Sequence, residues 1–338
     1  MKTATRSADG LIDEILGYRK AKVLMVAAYL DCFTRLERPR GAASLARALR
    51  LDPRGAEILL DALVAMGYLL KTGTLYRNAP VASRHLVRGR PGYLGNNLKY
   101  QEMIWDAWSD LRRSVRRGGP VRPLEHWLLR HKGFTREYIH GMDDIARGPA
   151  EEIAALVPPG GAREMLDVGA GPGTYSLAYL RRSAGLRATL FDLPSTLRVT
   201  RGLLARRPAL AARARLRPGN YRTDAFGREG FDLVLLSHVT HDEDPRTNRA
   251  MLDKARRALR PGGRVLIHDF MLEESRTAPE FGALFSVHML AYTEGGRTYT
   301  EGEYRRWLRE AGFAGLRSWA VSAGRRNSTR LLLGVKEG

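Results

Sequence analysis

Apolar residues recur along this chain in two rhythms, and the change from one to the other divides it. From residue 12 to about residue 110 the spacing is helical. Ala21–Leu36 reads as an apolar helix; Ala42–Arg50 and Pro53–Met66 follow as two more, joined by Leu51 and Asp52, with Gly67 as a C-terminal stop. Tyr68 to Arg77 then reads as two short strands about Gly73. Helix, helix and β-wing together outline a winged helix, a shape that serves either DNA binding or dimerisation.

The second rhythm begins after Gly118-Gly119-Pro120 and Pro123, which mark a hinge. Helical stretches at Phe134–Ala146 and Ala150–Leu156, broken at Gly148-Pro149, lead through Pro158-Pro159-Gly160-Gly161 into a regular alternation. Strand patterns at 163–168, 188–192, 213–217, 231–237 and 263–270 alternate with helical ones at 174–183, 195–206 and 245–260. That alternation predicts an α/β fold built on a doubly wound, Rossmann-like sheet. A helix at Glu301–Ala311 and two strands, Leu316–Val321 and Thr329–Val335, close the pattern as an antiparallel edge hairpin.

The first strand of the sheet carries the most informative residues. Arg163-Glu164-Met165-Leu166-Asp167-Val168 runs into Gly169-Ala170-Gly171-Pro172-Gly173, a turn in which no Cβ keeps a ligand off the backbone. The next strand ends at Asp192, followed by Leu193, about twenty residues on, where a carboxylate can accept from both hydroxyls of a ribose. A dinucleotide fingerprint needs a small residue at the sixth position, which here is Thr174. The pattern Asp-x-Gly-x-Gly-x-Gly with a ribose acid instead resembles motif I of methyltransferases that use S-adenosyl-L-methionine (SAM), and SAM is the expected cofactor.

Composition trims the choices. The chain has 338 residues, 44% of them hydrophobic, which is enough for two cores. No apolar run approaches the ~20 residues of a membrane span, and the first residues lack the apolar stretch of a signal peptide, so a cytoplasmic protein is expected. The net charge of +20 would favour a polyanion as partner, yet 48 of the 56 basic residues are arginines scattered among alanines and leucines. They read as solvated helix faces, and nucleic acid is not the expected partner. The single cysteine, Cys32, excludes an internal disulfide and lies in an apolar stretch as a core residue; no metal is expected.

Ligands in such a sheet sit at the carboxyl ends of the strands. The strand Phe231–Ser237 runs into His238-Val239-Thr240-His241-Asp242, and the strand from Gly263 ends at Asp269. If the two strands are neighbours they deliver His241 and Asp269 to one edge of the crevice. An imidazole with a reference pKa of about 6.5 can take a proton from a phenol, and a carboxylate behind it would fix its tautomer. His238 is the competitor for that role.

Several runs now resemble a named family: Leu236-Ser237-His238-Val239-Thr240-His241-Asp242, Ala258-Leu259-Arg260-Pro261-Gly262-Gly263-Arg264, Leu284-Phe285-Ser286-Val287-His288-Met289-Leu290, Thr293-Glu294-Gly295-Gly296-Arg297-Thr298-Tyr299-Thr300 and Ala311-Gly312-Phe313. The chain is similar along nearly its whole length to the O-methyltransferases related to acetylserotonin (hydroxyindole) O-methyltransferase, and more distantly to the plant caffeic acid type. The resemblance implies a winged-helix dimerisation domain at residues 1–110, a SAM-binding catalytic domain at 111–338, and a homodimer. It implies that His241, with Asp242, is the base and that Asp269 flanks it. It also implies that Gly169–Gly173 contacts the methionine part of the cofactor, that Asp192 holds the ribose, and that Gly219-Asn220-Tyr221 lies near the adenine; Asp167, Leu193 and Ser237 are counted with the same edge.

The chain departs from the family in ways that fall on the pocket. Asn220 stands where Asp is usual, Glu243 where Trp commonly follows His-Asp, His288 where animal relatives have a substrate-binding asparagine, and Thr298 where many relatives carry a second acid. An indole specificity is therefore not inherited. Met103, Trp105, Trp108, His238, Phe285, His288 and Met289 are the expected pocket walls, and a hydroxyl of a small aromatic molecule is the expected methyl acceptor. A C- or N-methyltransferase on the same fold, or a winged-helix DNA-binding regulator that senses SAM, are the alternatives.

Overall fold

The computed structural model describes residues 7–124, 126–127, 133–322 and 329–337. The chain forms two compact units, Met1–Trp105 and Asp106–Gly338.

In the first unit a helix over Ala8–Tyr29 starts on Ser7, whose hydroxyl accepts from the backbone N–H of Gly10 at 3.1 Å. It begins earlier than the apolar pattern predicted. It also does not run through to Leu36: Asp31 takes the left-handed conformation (φ 62°), which stops the helix, and Cys32–Arg35 resumes as a separate turn. Asp52 caps Pro53–Ala65 by accepting from Gly55 N at 2.8 Å, with Pro53 in the first turn where its missing N–H costs nothing. The wing forms as expected about Gly73 (φ 56°): β2 (Leu69–Thr72) and β3 (Leu75–Asn78) pair antiparallel, and β1 (Arg40–Gly41), which the sequence pattern did not show, adds to β3. Phe33, Leu36, Leu45, Leu60, Leu63, Leu69 and Tyr76 fill the core. Cys32 is fully buried there, as expected, and burial pushes its thiol up to about 12.

The second unit is built on a sheet whose strands are β4 (Glu164–Val168), β5 (Arg187–Asp192), β6 (Ala214–Pro218), β7 (Phe231–Ser237), β8 (Leu259–Leu272), the short β9 (Tyr299–Thr300), β10 (Phe313–Val321) and β11 (Thr329–Lys336). Their order is β10-β11-β8-β7-β4-β5-β6, with β9 pairing off β8. The first three strands step one way from β4; the chain then returns to lay β7 and β8 on its other side, all parallel. The reversal between β4 and β7 is the switch point at which such sheets open a crevice. Alternate residues along the strands feed two apolar layers. Met165, Leu233, Leu235 and Leu266 face one, and Leu166, Val168, Val234, Leu236, Val265 and Ile267 face the other.

The expected break at Gly148-Pro149 does not occur. One helix spans Phe134–Leu156 with Pro149 inside it. The proline removes the bond to the carbonyl of Ile145, a residue that is 49% exposed, so water can serve that carbonyl and the helix survives.

Candidate active site

The glycine loop has the shape its sequence demanded. Gly169, Gly171 and Gly173 all have positive φ (66°, 52° and 77°). A Cβ on Gly169 would meet Val239 Cγ2 at 3.0 Å, and one on Gly173 would meet Leu190 Cδ2 at 2.7 Å. At Gly171 the nearest atom would be 4.0 Å away, so that backbone faces open space, which is the cradle a ligand needs. Asp192 closes the loop from β5: its Oδ2 accepts from Gly171 N and its Oδ1 from Leu193 N, both at 2.7 Å. Burial pushes the Asp192 carboxyl up against the pull of those two N–H groups. Gly219 N donates to the Asp192 carbonyl at 3.0 Å, so Gly219-Asn220-Tyr221 share this edge.

The other residues counted with the cofactor edge are tied into the protein. Asp167 is buried with Ser176 Oγ donating to its Oδ2 at 2.6 Å, and burial pushes its carboxyl up to about 7. Ser237 Oγ lies 3.0 Å from Nδ1 of His268, a fully buried ring held neutral by desolvation. Asn220 Oδ1 accepts from Arg222 N at 2.9 Å and shapes the turn after β6. Tyr221 donates its hydroxyl to Glu243 at 2.7 Å, and Arg222 pairs with the same carboxylate. Glu243, standing where the family commonly has Trp, thus anchors the Tyr221 turn.

Because β7 and β8 are adjacent and parallel, His241 and Asp269 do meet. His241 Nδ1 lies 2.6 Å from Asp269 Oδ1, and the His241 backbone N–H reaches Oδ2 at 3.2 Å. Phe270 N donates to Oδ1 at 2.8 Å, and Thr240 donates its hydroxyl to Oδ2 while contacting the Tyr304 hydroxyl at 2.7 Å. A fully buried carboxylate is thereby satisfied on both oxygens. Burial would raise Asp269, but the His241 charge and the histidine hydrogen bonds overcome it and hold the carboxyl well below its usual range.

Burial likewise opposes charge on His241, yet Asp269 and Asp242 outweigh it and raise the imidazole to about 9. Asp242 Oδ1 lies 3.7 Å from Nε2 and is itself pushed up to about 6 by burial. The imidazole therefore has an acid near each nitrogen, the second supplied by its sequence neighbour. Thr298, at the position where relatives carry an acid, is fully buried. Gly295-Gly296 packs beneath: a Cβ on Gly296 would come within 2.3 Å of the His241 carbonyl oxygen. His238, also at positive φ (53°), sits 3.6 Å from Asp269 Oδ1 through its Nδ1 and is more exposed than His241. His238, His241 and Asp269 are the one set of side chains, among the described residues, with ligand atoms close enough for a metal.

Phe285 stands edge-on to His241, centroids 4.9 Å apart, and packs on Phe270 at 4.5 Å. His288 follows one turn later on the helix Glu280–Tyr292, stacked between Trp108 and Tyr292. Met289 is buried on the same helix. Met103 and Trp105 belong to the N-terminal unit, where Lys22 Nζ lies 4.5 Å from the Trp105 ring centroid. Sequence reasoning missed Thr240, Tyr304 and Phe270. Thr240, lying between the two histidines of one motif, was the signal available.

A doubly wound sheet with a glycine cradle at its switch point is the architecture of a SAM-dependent methyltransferase, and comparison with known proteins agrees. The chain belongs to the O-methyltransferase family: the O-methyltransferase domain matches residues 121–314 and the O-methyltransferase dimerisation domain residues 12–88. It is 30% identical to the tetracenomycin polyketide synthesis 8-O-methyl transferase TcmO of Streptomyces glaucescens, over 95% of each chain. It is 31% identical to a 3-hydroxy-5-methyl-1-naphthoate 3-O-methyltransferase of Streptomyces sahachiroi, over 91% of this chain and 90% of that one. Among solved structures, PigF with SAH superposes with a TM-score of 0.87 at 26% identity, covering 98% of this chain and 100% of that one. The cofactor is SAM. No helix among the described residues is long and apolar enough to cross a membrane.

Proposed function

We propose that this O-methyltransferase methylates a phenolic hydroxyl of a small aromatic molecule, with His241 as the general base. The observation that carries the reading is the 2.6 Å contact between His241 Nδ1 and the buried Asp269, beside the glycine cradle that Val239 packs against. SAM supplies a methyl group on a sulfonium that already leaves readily, so the protein's share is positioning and removal of one proton. Gly171 and its neighbours hold the methionine end, Asp192 the ribose, and Gly219–Tyr221 border the adenine. Asp269 keeps the hydrogen of neutral His241 on Nδ1, which leaves the Nε2 lone pair to accept the phenol proton. Asp242, near Nε2, stabilises the imidazolium that results. Phe270 and Phe285 wall the acceptor side with aromatic surface, and two relatives are named as an 8-O-methyl transferase of tetracenomycin polyketide synthesis and a 3-O-methyltransferase of 3-hydroxy-5-methyl-1-naphthoate. The N-terminal dimerisation domain supports a homodimer as the working form.

The test is a pair of variants assayed on a naphthol with labelled SAM. His241→Ala is expected to lower turnover by about 10²–10⁴-fold, the contribution of a positioned base. SAM affinity should stay near that of the parent. Near-parental turnover in His241→Ala, with loss in His238→Ala, would move the base to His238.

A further inference from the structure

We propose that His288 is a fixed hydrogen-bond donor for a carbonyl oxygen of the acceptor, so that the pocket selects phenols conjugated to a ketone, quinone or amide. This rests on the reading of His241 as the base and adds to it the class of acceptor.

Trp108 sets the polarity of the His288 ring. Its indole Nε1 lies 3.1 Å from His288 Nδ1, with the two rings stacked at 22° and centroids 5.7 Å apart. An indole nitrogen only donates, so the imidazole nitrogen that meets it must accept. A neutral imidazole carries one hydrogen, and with Nδ1 accepting, that hydrogen is on Nε2. Turning the ring over would not change this, because whichever nitrogen faces the indole is the acceptor. Nε2 has no hydrogen-bond partner among the described residues, which leaves its N–H for a ligand.

His288 borders the aromatic wall of the base. Phe285 lies three residues earlier on the same helix, with its centroid 5.5 Å from His288 and 4.9 Å from His241. The ring is kept from gaining a second proton: burial first, and the charge of His241 second, lower it to about 4. Two imidazoles on one wall thus have opposite tasks. His241 accepts a proton from the hydroxyl, while His288 can only donate a hydrogen bond at neutral pH. When a phenol conjugated to a carbonyl loses its proton, negative charge spreads to the carbonyl oxygen. An N–H placed there stabilises the charge as it develops. A phenol without that oxygen leaves the donor unmatched.

Two measurements test the proposal, and the first needs neither cofactor nor turnover. Long-range ¹H–¹⁵N spectra of the whole protein should show His288 as the Nε2–H tautomer at neutral pH, and Trp108→Phe should let it drift toward a tautomer mixture. A parent protein with the hydrogen on Nδ1, or with both nitrogens protonated, overturns the proposal whatever the enzyme acts on. The second compares binding and methylation of a hydroxytetralone with those of the matching tetrahydronaphthol, binding being measured on protein loaded with S-adenosylhomocysteine. His288→Leu should cut the preference for the ketone by about 5–10-fold, the share of one neutral hydrogen bond, and His288→Asn, which keeps a donor, should restore most of it. Equal losses on both compounds would show that His288 only packs. Loss of activity in His241→Ala with the tautomer intact would leave the base standing on its own, so the two readings fail separately.

Discussion

The strength of His241, the proposed base, is set by its neighbours. Its raised value means that the neutral, proton-accepting ring becomes populated as pH rises toward about 9, so kcat/KM should climb with pH over the range in which an ordinary histidine would already have levelled off. A profile flat above pH 7 would contradict this. The same shift has a stability face. Folded His241 is raised above its unfolded value, so the His241–Asp269 pair contributes fully below about pH 6.5 and its contribution is lost as pH rises through about 9. Thermal melting of Asp269→Asn should then differ most from the parent near pH 6 and converge toward it at alkaline pH. At the cofactor end, Asp192→Ala removes the acceptor of the Gly171 and Leu193 N–H groups as well as the proposed ribose ligand. We expect SAM binding to weaken by about 1–3 kcal/mol, measured by calorimetry.

At the scale of elements, close approaches of backbone hold the site together. Gly219 shows it best: a Cβ there would lie 2.2 Å from the Phe191 ring, which packs edge-on against Phe226 in the core. Gly219→Ala should therefore cost about 1–3 kcal/mol of stability by overpacking, read from denaturant melts, and weaken SAM binding with it. This scale also shows what the sequence could reveal. Asp192 and the glycine turn were legible because their spacing along two consecutive strands is fixed by local chemistry. Asp269 was legible only on the condition that β7 and β8 are neighbours, a fact of strand order. Thr240 and Tyr304 escaped because a hydroxyl chain to Asp269 joins positions 64 residues apart. The helix through Pro149 escaped because a proline predicts a break unless the orphaned carbonyl is known to be solvated. Asp242 was read as the partner of His241 in a pair, but its position near Nε2, opposite Asp269, required the turn that Gly296 permits.

At the scale of the molecule, the N-terminal unit leaves one helix unsatisfied. Leu11, Ile12, Ile15 and Tyr18 on Ala8–Tyr29 are each more than half exposed, a stripe of apolar surface on the domain that matches a dimerisation family. Light scattering should report a dimer at micromolar concentration, and replacing Ile12 and Ile15 by glutamate should shift it toward monomer. A parent protein that is a stable monomer would refute the homodimer.

The order of strands carries a consequence for how the enzyme comes into being. β11 is made after every other strand of the sheet, yet it lies inside it, between β8 and β10, with Arg330 in register with Asp269. A chain that has completed β8 and even β10 still has an open edge alongside the strand that carries Asp269. Until Thr329–Lys336 slots in, the nascent protein exposes a hydrogen-bonding edge along β8, and the waiting time at that stage sets its exposure to mispairing with another chain.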